Sequence, residues 1–160
     1  MAVYKLSIED FEEVDYHLIA IHTSLEDYRL AYFLNQKLPI LLSKSEAEIQ
    51  ITIKEGETHF SRFVYEDIIQ NCYWNLIQNK EEVTVLKKDN QQNLFANTAL
   101  EVATKVYLLP EFKKVDYFLK IENSDIEIND IITTLQSIDT ISTIYTVDNK
   151  NIKSKNNLIF

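Results

Sequence analysis

A single glycine, Gly56, stands in a chain of 160 residues, where ordinary usage would place about ten. That scarcity alone excludes several chemistries. A phosphate-cradling loop needs two glycines around its turn, a dinucleotide fingerprint up to three, and a nucleophile elbow two flanking its serine. Cysteine is equally scarce: Cys72 alone forms neither an internal disulfide nor a four-cysteine zinc site. No charged-then-apolar leader opens the chain, and no apolar run approaches the roughly 20 residues of a membrane helix. A reducing, cytoplasmic setting without a membrane partner is therefore expected.

Positive charge is also short. Lys and Arg number 16 against 25 Asp and Glu, a net charge of -9, and Arg29 and Arg62 are the only arginines. Neutralising phosphates takes a basic footprint that this balance does not supply, so direct nucleic-acid binding is not expected. What the chain does have is apolar and aromatic mass, at 46% and 11% of residues. That suffices for one hydrophobic core. Residues 1–148 read as a single domain and 149–160 as a mobile polar tail with an apolar end, Leu158 to Phe160, able to dock.

Tyr16 to Thr23 reads as a strand feeding a helix, with Thr23-Ser24-Leu25-Glu26 in capping-box form. Leu30, Phe33, Leu34 and Leu38 recur at helical spacing until Pro39, which stops the helix near Lys37. Ile49, Ile51 and Ile53 alternate with polar residues before the Gly56 turn. Short runs from His59 to Tyr65, from Cys72 to Ile77 and around Val83 and Val85 then continue an antiparallel meander. Asp89 to Asn97 is a polar loop. Residues 98–109 carry both a cap and an alternation, and are read as helix or irregular structure. Beyond Pro110, Tyr117, Leu119 and Ile121 share one strand face with Val115, while Asp116 and Lys120 lie on the outer one. Ser124-Asp125-Ile126-Glu127 repeats the capping-box form before a second helix, and a strand closes at Val147.

Overlaying Val14-Asp15-Tyr16 on Val115-Asp116-Tyr117 also brings Leu18 onto Leu119, Thr23 onto Ser124 and Leu34 onto Leu135. Two β-α units thus read as a pseudo-duplication or as a coincidence of the same local rules. Their off-faces differ, being His17, Ile19 and Ile21 against Phe118, Lys120 and Glu122. The first strand is expected to be covered on both faces and the second on one. The architecture expected is α+β: a largely antiparallel sheet with two or three helices on one face, ferredoxin-like or related.

Leu109-Pro110-Glu111-Phe112-Lys113-Lys114-Val115-Asp116-Tyr117 resembles the signature of the IPExxxVDY family, with leucine in place of its first isoleucine. The helical run Tyr28 to Asn35 looks like the N-terminal part of that family. The resemblance implies a small cytosolic protein of Bacteroidetes-type bacteria, without a catalytic residue to carry over. Leu109, Pro110, Glu111, Val115, Asp116 and Tyr117 are expected to serve the fold, Glu111 by accepting backbone amides at a strand entrance.

No catalytic, cofactor or metal constellation emerges from the remaining residues. His17 and His22 are five apart on one strand and point to opposite faces. His59 would need tertiary proximity to join His22 and Glu26. Cys72 shares an inward face with Trp74 and Leu76 and reads as a small core residue. The acidic run Glu9, Asp10, Glu12 and Glu13 around Phe11 is either a solvated edge or a docking surface for a basic partner, and Arg29 either pairs with a carboxylate or meets a ligand. The function expected is a non-catalytic interaction or adaptor protein whose partner is another protein, a homodimer being open. A small-ligand regulatory domain and an enzyme are the alternatives.

Overall fold

A computed structural model describes residues 16–54, 56–87 and 100–160. Ten strands and two α-helices follow one another there: β1 Tyr16–Thr23, α1 Asp27–Lys37, β2 Ser43–Lys44, β3 Ile49–Ile53, β4 Gly56–Phe60, β5 Arg62–Asp67, β6 Cys72–Gln78, β7 Lys80–Lys87, β8 Leu100–Tyr107, β9 Tyr117–Glu122, α2 Ile128–Gln136 and β10 Ile141–Val147. Six strands form one antiparallel sheet in the order β10-β1-β9-β6-β5-β2, while β3-β4 and β7-β8 are separate hairpins.

The central order follows from two interleaved units, β1-α1-β6 and β9-α2-β10. Each unit's second strand pairs with the first strand of the other, β10 with β1 and β6 with β9. The two first strands pair with each other. This is the ferredoxin-like arrangement, elaborated by β2 to β5 after α1 and by β7-β8 before β9.

One sheet face carries the helices. Leu30, Ala31 and Leu34 of α1 and Ile131 and Leu135 of α2 pack on Ile19, Ile21, Trp74, Leu119 and Ile121. Among the described residues the other face is covered without an α-helix. There Leu18, Ala20, Ile77, Phe118 and Val147 lie under Leu108, Leu109, Val115, Ile152 and Leu158, joined by Ile49 and Phe60 of the β3-β4 hairpin.

Several expectations change at this point. The segment 149–160, expected to be a mobile tail with an apolar end able to dock, packs on the sheet through Leu158 and also through Ile152. It forms two short 3-10 turns, Asn149–Asn151 and Lys155–Leu158. In consequence β9 is covered on both faces, Phe118 and Lys120 included. Residues 100–107 form strand β8, because β7 supplies a partner from Lys80↔Tyr107 to Lys87↔Leu100. Val115 belongs to the face opposite Tyr117, since β9 begins only at Tyr117 and strand parity does not reach back.

Neither capping box forms. α1 and α2 are preceded by Glu26 and Glu127, without a side-chain cap. The Thr23 and Ser124 hydroxyls instead accept the amides two residues on, of Leu25 and Ile126, a local turn that competes with helix capping. The 101-residue overlay therefore holds in the loops and helices, where Leu30 and Leu34 correspond to Ile131 and Leu135. It fails in the strands: Leu18 and Leu119 lie on opposite faces, as a one-residue slip requires. Ile19 and Leu119, neighbours across the ladder, share the helix face.

Gly56 begins β4 opposite Ile53 with φ at +135°. A Cβ there would meet no atom within 4 Å, so the cost of adding one is conformational. Gly56→Val is expected to destabilise the protein by about 1–3 kcal/mol. An unchanged thermal midpoint would show that the hairpin relaxes to another turn.

Candidate functional site

Asn79, a fully buried residue between β6 and β7, organises the signature segment. Its amide nitrogen donates to the carbonyls of Phe112 and Val115 at 2.9 and 2.8 Å. Its side-chain oxygen accepts the Leu109 amide at 2.9 Å, and its own backbone binds Leu108 and Asp116. Asp116 accepts the Thr23 amide and pairs with Lys80 at 2.6 Å; it ties the end of β1 to β7 rather than sharing a face with Lys120. Tyr117 donates its hydroxyl to the Leu25 carbonyl at 2.8 Å. Glu111 accepts the Lys153 and Ser154 amides at 2.7 and 2.8 Å and the Ser154 hydroxyl. Burial pushes the Glu111 carboxyl up, but these donors outweigh it and hold it below its ordinary value. Pro110 opens the 3-10 turn Pro110–Phe112.

A second polar cluster joins Asp27 at the start of α1, Lys44 of β2 and Ser61 between β4 and β5. The Ser61 hydroxyl bonds Asp27, and the Lys44 ammonium reaches both. Burial raises the Asp27 carboxyl, and Ser61, the Tyr28 amide and Lys44 together lower it below the usual carboxylate range. A serine nucleophile served by lysine needs a desolvated, neutral amine. Lys44 is half exposed and pairs with two carboxylates, Asp27 and Glu48. The cluster staples α1 to the sheet.

The third arrangement is a cleft of about 350 Å³ at the end of the sheet where β5 turns into β6. Pro39, Ile40, Tyr65, Cys72, Trp74 and Ile126 supply its apolar walls, and Asp67, Gln70, Ser124 and Asp125 its polar rim. Large apolar side chains adjoin the lining in sequence: Leu41, next to Ile40, is 72% exposed, and Ile68 and Ile69, between Asp67 and Gln70, are 83% and 98% exposed. The isoleucines crown a four-residue turn that is held from several directions. Asp67 accepts the Ile69 and Gln70 amides. Asn71 closes the turn with φ at 53°, and Asn123, also left-handed, donates to its carbonyl. Two apolar side chains thus project from a fixed frame.

Comparison with known proteins does not extend this picture. No protein-family model, curated protein or solved structure matches the chain.

The acidic run Glu9 to Glu13 with Phe11 lies outside the described residues. Arg29 is exposed on α1 and makes no ion pair among the described residues. His22 contacts the Tyr145 hydroxyl at 3.3 Å, and His17 and His59 are exposed. Cys72 is buried and accepts the Trp74 indole N–H. Among the described residues no three His, Cys, Asp or Glu side chains gather to hold a metal ion, and no helix there is long and apolar enough to cross a membrane. Sequence reasoning passed over Ile68 and Ile69. The signal was available: two consecutive isoleucines between the strand runs that end at Tyr65 and begin at Cys72.

Proposed function

We propose that the chain is a non-catalytic interaction protein of the cytoplasm, related to the IPExxxVDY family, and that its partner is another protein. The exposed Ile68-Ile69 pair carries this reading. Soluble domains rarely spend large apolar side chains on a turn tip, and a rigid frame lowers the ordering cost of binding. The adjoining cleft would receive a side chain of the partner, and its carboxylate rim, in a chain of net charge -9, favours a partner with basic character.

A small-ligand domain is the second reading, supported by a cleft of ligand-sized volume with aromatic walls. The Ser61 cluster offers an enzyme reading less, because its lysine is engaged by carboxylates.

Replacing both isoleucines, Ile68→Asp with Ile69→Asp, discriminates among these. Both sites are exposed, so stability should change by no more than about 0.5 kcal/mol each. Capture of a specific protein by the tagged chain from its own cells should fall about 30-fold or more, as for a binding hot spot. Equal capture by native and variant chains, measured by quantitative mass spectrometry, would remove the turn from the interface.

A further inference from the structure

The sheet face away from the helices holds a lysine at its centre. Lys120, 7% exposed, pairs with Glu122 at 2.6 Å and donates to the Leu158 carbonyl at 3.1 Å. Its ammonium lies 4.9 Å from the centre of the Phe160 ring, and the Arg62 guanidinium lies 4.7 Å from that same ring. One aromatic side chain is therefore flanked by two cations, an arrangement that attracts a ring electrostatically.

The resident does not fill the place. Phe160 is 46% exposed, and beside it opens a groove of about 300 Å³ lined by Arg62, Val64, Tyr73, Asn75 and the two glutamates 66 and 122. Arg62 Nε is buried without a hydrogen-bond partner among the described residues, and a terminal nitrogen of the same guanidinium donates to the Ser45 hydroxyl at 3.2 Å. The Asn75 side chain, 9% exposed, makes no hydrogen bond among the described residues. The Asn75 amide, at the groove wall, wants partners of the kind a peptide backbone offers. Leu158 anchors the resident segment by burial, and Glu111 anchors its start through Lys153 and Ser154.

We propose that this groove is a receptor for an extended apolar peptide segment of another protein that carries an aromatic side chain, and that Leu158-Ile159-Phe160 is its tethered stand-in. The incoming ring takes the position between Arg62 and Lys120. Its backbone meets the Asn75 side chain at the groove wall, which makes no hydrogen bond among the described residues. A tethered segment acts at an effective concentration on the order of millimolar, so it holds back weak ligands and yields to a better-matched one. This site is separate from the Ile68-Ile69 turn and does not depend on the reading given to it.

The test uses the full chain and a fluorescent hexapeptide of the sequence Lys155 to Phe160, capped at both ends. Phe160→Ala removes the resident ring and should raise peptide affinity at least fivefold over the native chain, read by anisotropy. Adding Arg62→Lys to that variant keeps the charge but loses the planar fork, and should reverse the gain. A hexapeptide ending in alanine should not bind either chain. If Phe160→Ala melts more than about 10 °C below the native chain, Glu111→Gln replaces it: this frees the start of the segment without touching the groove, and should shift affinity in the same direction. Equal affinity of native and resident-released chains overturns the proposal. So does a released chain that dimerises without binding the peptide, since the groove would then serve exchange of this segment between two copies.

Discussion

Asn79→Ala is expected to cost about 3–5 kcal/mol. The side chain itself is small, so lost packing does not set that figure. Its removal strands the Leu109 amide and the Phe112 and Val115 carbonyls, and each buried polar group left without a partner costs about 1–3 kcal/mol. Urea denaturation with an unchanged m-value is the measurement. Asn79→Asp makes a sharper companion. Aspartate can still accept the Leu109 amide, but it donates to a carbonyl only when protonated, and the facing carbonyls raise its pKa in the folded state. The variant's stability should therefore be lowest near neutral pH and recover as pH falls through that raised value. A loss under about 1 kcal/mol for the alanine variant would mean that water enters and satisfies the loop.

The second large effect is expected at Tyr117. Its ring is part of the helix-side core, and its hydroxyl reaches across to the chain between β1 and α1. Burial first, then the nearby carboxylates of Asp27, Asp116 and Glu26, push its ionisation far above the ordinary tyrosine value, so the hydroxyl stays a donor throughout the physiological range. Tyr117→Ala removes both contributions and should cost about 3–5 kcal/mol. Tyr117→Phe removes only the donor and should cost about 1–2 kcal/mol. Thermal melts of the pair separate packing from the hydrogen bond. A melting curve left intact by Tyr117→Ala, with loss of partner capture, would move this residue from the fold to an interface.

Where one face and one period decided the matter, the sequence was readable. The stop at Pro39 and the inward set Cys72, Trp74 and Leu76 depend on local chemistry, and both stand in the structure. Features that depend on a distant partner were less legible. Residues 100–107 become a strand because β7 pairs with them. Lys120 reads as solvent-facing until the segment around Leu158 covers it. Thr23 and Ser124 carry the letters of a helix cap, yet their hydroxyls choose a nearer amide. Asn79 gave no sign at all, since its three acceptors and donors come from residues about 30 or more positions away.

The interleaving of the two β-α units has a consequence for synthesis. Ile19 of β1 pairs with Leu119 of β9, so β1 leaves the ribosome 100 residues ahead of its central neighbour. At translation rates of about 5–20 residues per second, roughly 5–20 s pass before that neighbour exists. Its other flank waits longer, because Leu18 pairs with Val147. During that interval Leu18 to Ile21, all buried in the finished fold, have, among the described residues, α1 and the following hairpins to cover them. Slowing translation between β6 and β9 should therefore raise aggregation of the nascent chain without altering the stability of the completed protein.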